Sequence, residues 1–146
     1  MTRRELGENY FKQGYNCAQS VVLAFKDLIG ISEEVAVKLI SGFGGGFGRM
    51  REVCGAVSGM VAVISTIEGY SNPTANQEKM DLYKTVQSLM NEFKAQNGTY
   101  ICAELLDGVK QDSPIPEKRT KEYYEKRPCA LLVGDACEIL ENYLSK

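Results

Sequence analysis

The sequence predicts an all-α fold, a compact single-domain bundle of five to six helices that spans residues 1–146. Three observations support this prediction. Apolar residues recur at helical spacing, whereas the alternating pattern of a half-buried strand is scarce. No linker, repeat or charged block divides the chain, and the breaks near 42–48 and 107–116 are short enough to be loops. A length of 146 residues suits one domain that folds without disulfides.

Two predicted helices precede the glycine-rich segment. The first runs over about Arg3–Gln13 and stops at Gly14; because it is short, we expect it to pack as an arm. The second begins at Asn16, whose spacing to Gln19 fits a capping box, and it ends at Gly30.

The central part of the chain predicts a short helix and a buried one. Ser32 caps the short helix, which holds the apolar residues Val35, Leu39 and Ile40. The glycine-rich segment 42–48 cannot continue as a helix. The helix that begins near Glu52 is apolar on nearly every side, as expected of a helix in the middle of a bundle.

The C-terminal half carries further helix start signals. Thr74 and Gln77 are spaced as a capping box at the start of a long helix. Thr99 can cap a short helix, and Pro128 suits the first position of the last helix. The charged run 117–122 is interpreted as a solvated helical face of mixed sign that needs no partner.

Composition and charge exclude several classes of function. A net charge of −2 gives no pull toward nucleic acid, which is not expected as a partner. The polar N-terminus resembles no signal peptide, and no apolar stretch reaches the ~20 residues that span a bilayer. We therefore expect a cytoplasmic protein without membrane insertion. The absence of histidine removes the commonest general base and zinc nitrogen ligand, so any metal would be held largely by sulfur.

The five cysteines are the most informative residues. An odd number of cysteines in a reducing compartment favours metal ligation, redox chemistry or core packing over a disulfide framework. Cys17, Cys54, Cys102 and Cys129 each fall in the first turn of a predicted helix, where free N–H groups and the dipole stabilise a thiolate. Any one of them alone would more simply be a core residue. Cys137 lies two turns deeper in the last helix and is predicted to be core.

Residues near Cys54 are candidates for holding a cofactor. We select Gly45, Gly46, Arg49 and Gly55. The glycines can bring backbone N–H groups near sulfur and leave space for a cluster or a substrate, although tight turning alone would also explain them. Arg49 and its neighbour Arg51 could offset thiolate charge, although loop arginines are more often exposed. No nucleotide is expected, because neither dinucleotide nor P-loop spacing matches the glycine-rich segment.

The residues also carry a family resemblance. The sequence has Cys54-Gly55-Ala56-Val57-Ser58-Gly59, an Asn16-Cys17-Ala18 opening before it, and Cys102 and Cys129 after it. In order and length the whole chain resembles the redox-active protein family defined by four cysteines and a Cys-Gly-Ala-x-x-Gly motif (the C_GCAxxG_C_C family).

The resemblance implies four functional cysteines, which match Cys17, Cys54, Cys102 and Cys129 and leave Cys137 outside the pattern. Related sequence also resembles the iron–sulfur-binding part of split-Soret cytochromes, which implies that a cysteine-held cluster could be bound. Haem is not expected, because the chain has no histidine and no Cys-x-x-Cys-His.

Three functions are therefore compatible with the sequence. The leading hypothesis is a redox protein, potentially an oxidoreductase, whose four cysteines either ligate an iron–sulfur cluster or cycle between dithiol and disulfide. Its redox partner would be an unidentified protein or small molecule. The second is a Cys-only zinc site in a structural or sensor protein, which could be a homodimer. The third is a non-catalytic helical interaction module whose cysteines only fill the core.

Overall fold

The structure, a computed structural model, describes residues 1–108 and 113–146, and this part of the chain is all-α. Its helices are α1 (Arg3–Lys12), α2 (Cys17–Ala24), α3 (Glu33–Ile40), α4 (Gly55–Glu68), α5 (Asn76–Asn97), α6 (Cys102–Leu105), α7 (Lys121–Lys126) and α8 (Cys129–Leu144). The prediction of five to six helices is too low, because the one-turn helix after Thr99 and the short helix beside the charged run both form as separate helices, α6 and α7. None of the described helices is both long and apolar enough to cross a membrane.

Two of the predicted helix caps, at Asn16 and Ser32, form. Those at Thr74 and Thr99 do not, since α5 and α6 begin without a side-chain cap. The Asn16 side chain accepts from the N–H of Gln19 at 2.8 Å, and the Gln19 side chain accepts from the N–H of Asn16 at 3.1 Å. This reciprocal pair is the predicted capping box. Ser32 caps α3 as predicted. The capping box at Thr74 is wrong, because its hydroxyl donates to Asn72 instead, at 2.8 Å, and α5 begins without a side-chain cap.

The core lies where α4 crosses α2 and where α1 and α2 pack along α8. Helix α4 is buried as predicted between Gly55 and Ile64, whereas its last turn, with Ile67 36% exposed, reaches the surface. Helix α1 is not an arm: Phe11 is buried, and Arg4 bonds to Asp135 at 2.5 Å and to Glu138 at 2.9 Å, both on α8. The buried Phe11 and these two ion pairs thus hold α1 against the rest of the bundle.

Of the three apolar residues predicted on helix α3, only Ile40 faces the core. Val35 and Leu39 are 54% and 70% exposed, whereas Ala36 and Ile40 are buried. Both pairs are spaced four residues apart and lie on adjacent stripes of the helix. Packing against α2 therefore selects the stripe with the smaller residue.

Candidate functional site

Four helix starts bring the four predicted cysteines to one cavity. Cys17, Cys102 and Cys129 are the first residues of α2, α6 and α8, and Cys54 is the N-cap of α4. All four line a cavity of about 70 Å³. Cys54 and Cys102 are buried, whereas Cys17 and Cys129 are half-buried. Cys137 does not line this cavity; it is fully buried in the core, as predicted.

Backbone pairing holds the two buried cysteines in place. The segments that precede α4 and α6 form an antiparallel bridge between Val53 and Ile101. The N–H of Cys54 donates to the carbonyl of Tyr100 at 2.8 Å, and the N–H of Cys102 donates to that of Glu52 at 2.6 Å. Because both bonds fix backbone beside a cysteine, the two side chains enter the cavity from a rigid base.

The predicted glycines fit closely around the sulfur atoms. Gly45 lines the cavity, and its backbone hydrogen-bonds to Cys17. Gly46 has φ +72°, and a Cβ there would lie 2.9 Å from the Cβ of Cys102. A Cβ on Gly55 would lie 2.4 Å from the Sγ of Cys17. Since real Cβ atoms do not approach so closely, Gly46 and Gly55 leave space for two of the four cysteines.

The two arginines of the glycine-rich segment have different roles. Arg51 is only 8% exposed and donates from Nη1 to the Sγ of Cys102 at 3.7 Å. The expectation of an exposed loop arginine is therefore wrong for Arg51. Arg49 does not line the cysteine cavity; it donates to the carbonyl of Ser113 at 2.9 Å and pairs with Glu117 at 3.3 Å.

The charged segment 117–122, which we interpreted as a solvated face, contributes to the site instead. Arg119 lines the cavity and donates to the carbonyls of Phe11 and Tyr15 at 2.9 and 3.0 Å. Its guanidinium lies 4.2 Å from the ring centroid of Phe11 and 5.1 Å from that of Tyr123. Glu117 pairs with Arg49, Arg51 and Arg127. The interpretation of 117–122 as a face without a partner is wrong for these two residues.

Burial has the largest effect on the pKa values of three of the cavity thiols. It raises the pKa of Cys17, raises that of Cys54 well above its ordinary value, and raises the pKa of Cys129 to about 12. Neighbouring thiols add to each rise, because like charges in one cavity repel. Hydrogen bonds from Ala56 and Val57 at the start of α4 lower the pKa of Cys54, but by less than burial raises it. These three thiols are therefore protonated near neutral pH.

The four cysteine sulfur atoms are suitable metal ligands, but they do not lie close enough together to share one metal ion. Four cysteines are the ligand set of structural zinc sites and of many iron–sulfur clusters. Over residues 1–108 and 113–146, no three cysteine or carboxylate side chains come together closely enough to hold one metal ion. The described arrangement therefore does not fit a single zinc or iron ion.

A family model described as "Putative redox-active protein (C_GCAxxG_C_C)" matches residues 15–143, which is nearly the whole chain and includes all five cysteines. The short name of the family places Gly before Cys, whereas this chain has Cys54 before Gly55. Neither the curated proteins nor the solved structures contain a significant match.

Proposed function

We propose that this chain, which belongs to the redox-active C_GCAxxG_C_C family, performs thiol–disulfide exchange with the cysteines of its cavity. One observation carries the proposal. Four cysteines from four separate helix starts line a single cavity, whereas the fifth, Cys137, is packed away in the core. Core packing alone gives no reason for the four to meet around a space.

Accessibility assigns the first step to Cys129. This thiol is half-buried and lines both the cysteine cavity and a larger outer cleft, so a partner can reach it. Its thiolate attacks one sulfur of the partner disulfide, forms a mixed disulfide and expels the other sulfur as a thiolate. Arg119 and Arg127 favour the charged form, because both lower the pKa of Cys129.

Cys17 is the best-placed resolving thiol. It is half-buried like Cys129, whereas Cys54 and Cys102 are buried, and among the neighbouring thiols it raises the pKa of Cys129 most. Its thiolate attacks the Cys129 sulfur of the mixed disulfide, closes a Cys17–Cys129 disulfide and releases the second partner thiolate. The partner disulfide gains two electrons, the two cysteines lose them, and the two protons of the cysteines pass to the released thiolates.

The test begins with protein purified without oxygen. Iron, zinc and acid-labile sulfide are measured per chain together with the visible spectrum, and the protein is then oxidised with a small disulfide and its cysteines are mapped by mass spectrometry. We expect two cavity thiols to be lost and Cys137 to stay reduced. The matched control Cys137→Ser should oxidise like the wild type, whereas Cys17→Ser should stop at the mixed disulfide on Cys129.

An iron–sulfur cluster is the alternative that the family resemblance implies, and the same protein distinguishes it. Broad visible absorption with iron and sulfide, lost in Cys54→Ser, would replace thiol exchange with cluster chemistry. Stoichiometric zinc without visible absorption would instead establish a zinc site. Oxidation that leaves all four cavity thiols reduced would also refute the proposal.

A further inference from the structure

A second opening, here called the arginine cleft, adjoins the cysteine cavity. It has a volume of about 370 Å³ and lies between the glycine-rich segment, the segment that leads into α7, and the start of α8. Cys129, Arg51, Arg119 and Tyr123 line both spaces. A molecule in the arginine cleft would therefore lie directly against the thiol that the proposed function uses first.

Basic side chains outnumber acidic ones among the described residues that line the arginine cleft. Arg49, Arg51, Arg119 and Arg127 all line it, and Glu117 is the single acidic residue among the described residues that do. The described part of the lining thus carries a formal charge of +3.

Three of the arginines in this cleft are largely shielded from water. The side chains of Arg49, Arg51 and Arg127 are 14%, 7% and 18% exposed, so water screens them poorly. Glu117 pairs with all three and offsets one positive charge. Guanidinium groups bind carboxylates through two parallel N–H···O bonds, which makes such a cluster suited to a carboxylate ligand.

We infer that the arginine cleft binds a small disulfide that carries carboxylate groups and directs its sulfur atoms to Cys129. This inference rests on the proposed thiol exchange and adds its substrate class. The Cys129 thiolate attacks the near sulfur and releases one carboxylate-bearing thiolate. The Cys17 thiolate then attacks the Cys129 sulfur and releases the other. The substrate is reduced by two electrons, the two cysteines form one disulfide, and their protons pass to the two products.

Three disulfides of similar size and different charge provide the test: 3,3′-dithiodipropionate, which is anionic, 2-hydroxyethyl disulfide, which is neutral, and cystamine, which is cationic. Each disulfide is added to reduced protein whose metal content has been measured, and the loss of the cavity thiols is followed over time. We expect the rates to fall in that order and the differences to shrink as salt screens the charges.

Two variants change the charge of the arginine cleft in opposite directions. Arg127→Gln should lower the ratio of the anionic to the neutral rate about five-fold, the equivalent of about 1 kcal/mol. Glu117→Gln should raise that ratio, a gain that damage to the fold cannot produce. Lys84→Gln, which removes a charge from the exposed surface of α5, is the matched control and should leave the ratio unchanged.

The outcomes separate this inference from the function on which it rests. If the neutral disulfide oxidises the cavity thiols as fast as the anionic one, and neither Arg127→Gln nor Glu117→Gln changes the ratio, the arginine cleft has no anion specificity and thiol exchange still stands. If none of the three disulfides oxidises the cavity thiols, the proposed function itself fails.

Discussion

Replacing Gly55 with alanine tests how tightly the Cys17 sulfur is held. The added Cβ would lie 2.4 Å from that Sγ and 3.0 Å from the carbonyl oxygen of Phe43, whereas ordinary contacts begin at 3.4 Å. The sulfur must therefore move by about 1 Å. Overpacking of this kind costs roughly 1–3 kcal/mol, of which the helix preference of alanine returns about 0.5–1 kcal/mol. Urea unfolding should thus show a net loss of about 0–2.5 kcal/mol.

The effect on chemistry should exceed the effect on stability. A misplacement of 1 Å can slow a reaction between positioned groups by on the order of 10²-fold, so closure of the Cys17–Cys129 disulfide should slow greatly in Gly55→Ala. Mass mapping after timed oxidation measures that rate.

Gly59→Ala is the matched control for overpacking in the same helix pair. Its Cβ would meet the carbonyl oxygen of Ala18 at 2.7 Å and Val21 at 3.0 Å, and no sulfur is among its near neighbours. It should lose similar stability and oxidise at the rate of the wild type. Equal slowing in both variants, or none in Gly55→Ala, would refute the assignment of Cys17 as the resolving thiol.

Three further predictions follow from the thiols. The unfolded chain releases thiol protons at a lower pH than the folded one, because burial raises the pKa of Cys17, Cys54 and Cys129. The contribution of these thiols to stability should therefore be constant between about pH 6 and pH 8 and be lost above about pH 9, by up to about 1.4 kcal/mol per pH unit for each thiol, in urea unfolding of reduced protein. The midpoint potential should fall by about 59 mV per pH unit up to at least pH 9, since disulfide formation releases two protons; a break in slope near pH 8 in a redox titration would contradict this. Arg51→Gln removes the bond to Cys102 and should cost about 1–3 kcal/mol, whereas Arg51→Lys, which keeps the charge, should cost less.

Local signals predicted where the cysteines lie along the helices. Asn16 and Pro128 mark the starts of α2 and α8 in the sequence itself, so Cys17 and Cys129 could be placed there without tertiary information. That the four cysteines share one cavity was a hypothesis, because it depends on how helices far apart in the chain pack.

The parts that the sequence did not predict depend on long-range packing. Arg119 donates to the carbonyl of Phe11, 108 residues earlier, and its neighbours in sequence are polar enough to suggest only a solvated surface. The inward face of α3 is a similar case, since Ala36 with Ile40 and Val35 with Leu39 are equivalent patterns until α2 is in place. Positive φ values at Arg49 and Arg51 likewise turn two arginines toward partners that local pattern does not reveal.

Two opposing effects decide the state of the thiols at these helix starts. Backbone N–H groups favour a thiolate, which was the reason to suspect reactive cysteines, but the same convergence that unites the four sulfur atoms removes them from water. Burial is the larger effect at Cys17, Cys54 and Cys129, so each is held as a neutral thiol near neutral pH. In the proposed exchange, such a site would release protons together with electrons, and Arg119 and Arg127 would ease the loss of the Cys129 proton, because both lower its pKa. Together with the place of Cys129 in the outer cleft, this supports the proposed order, in which attack starts at Cys129 and ends with disulfide closure by Cys17.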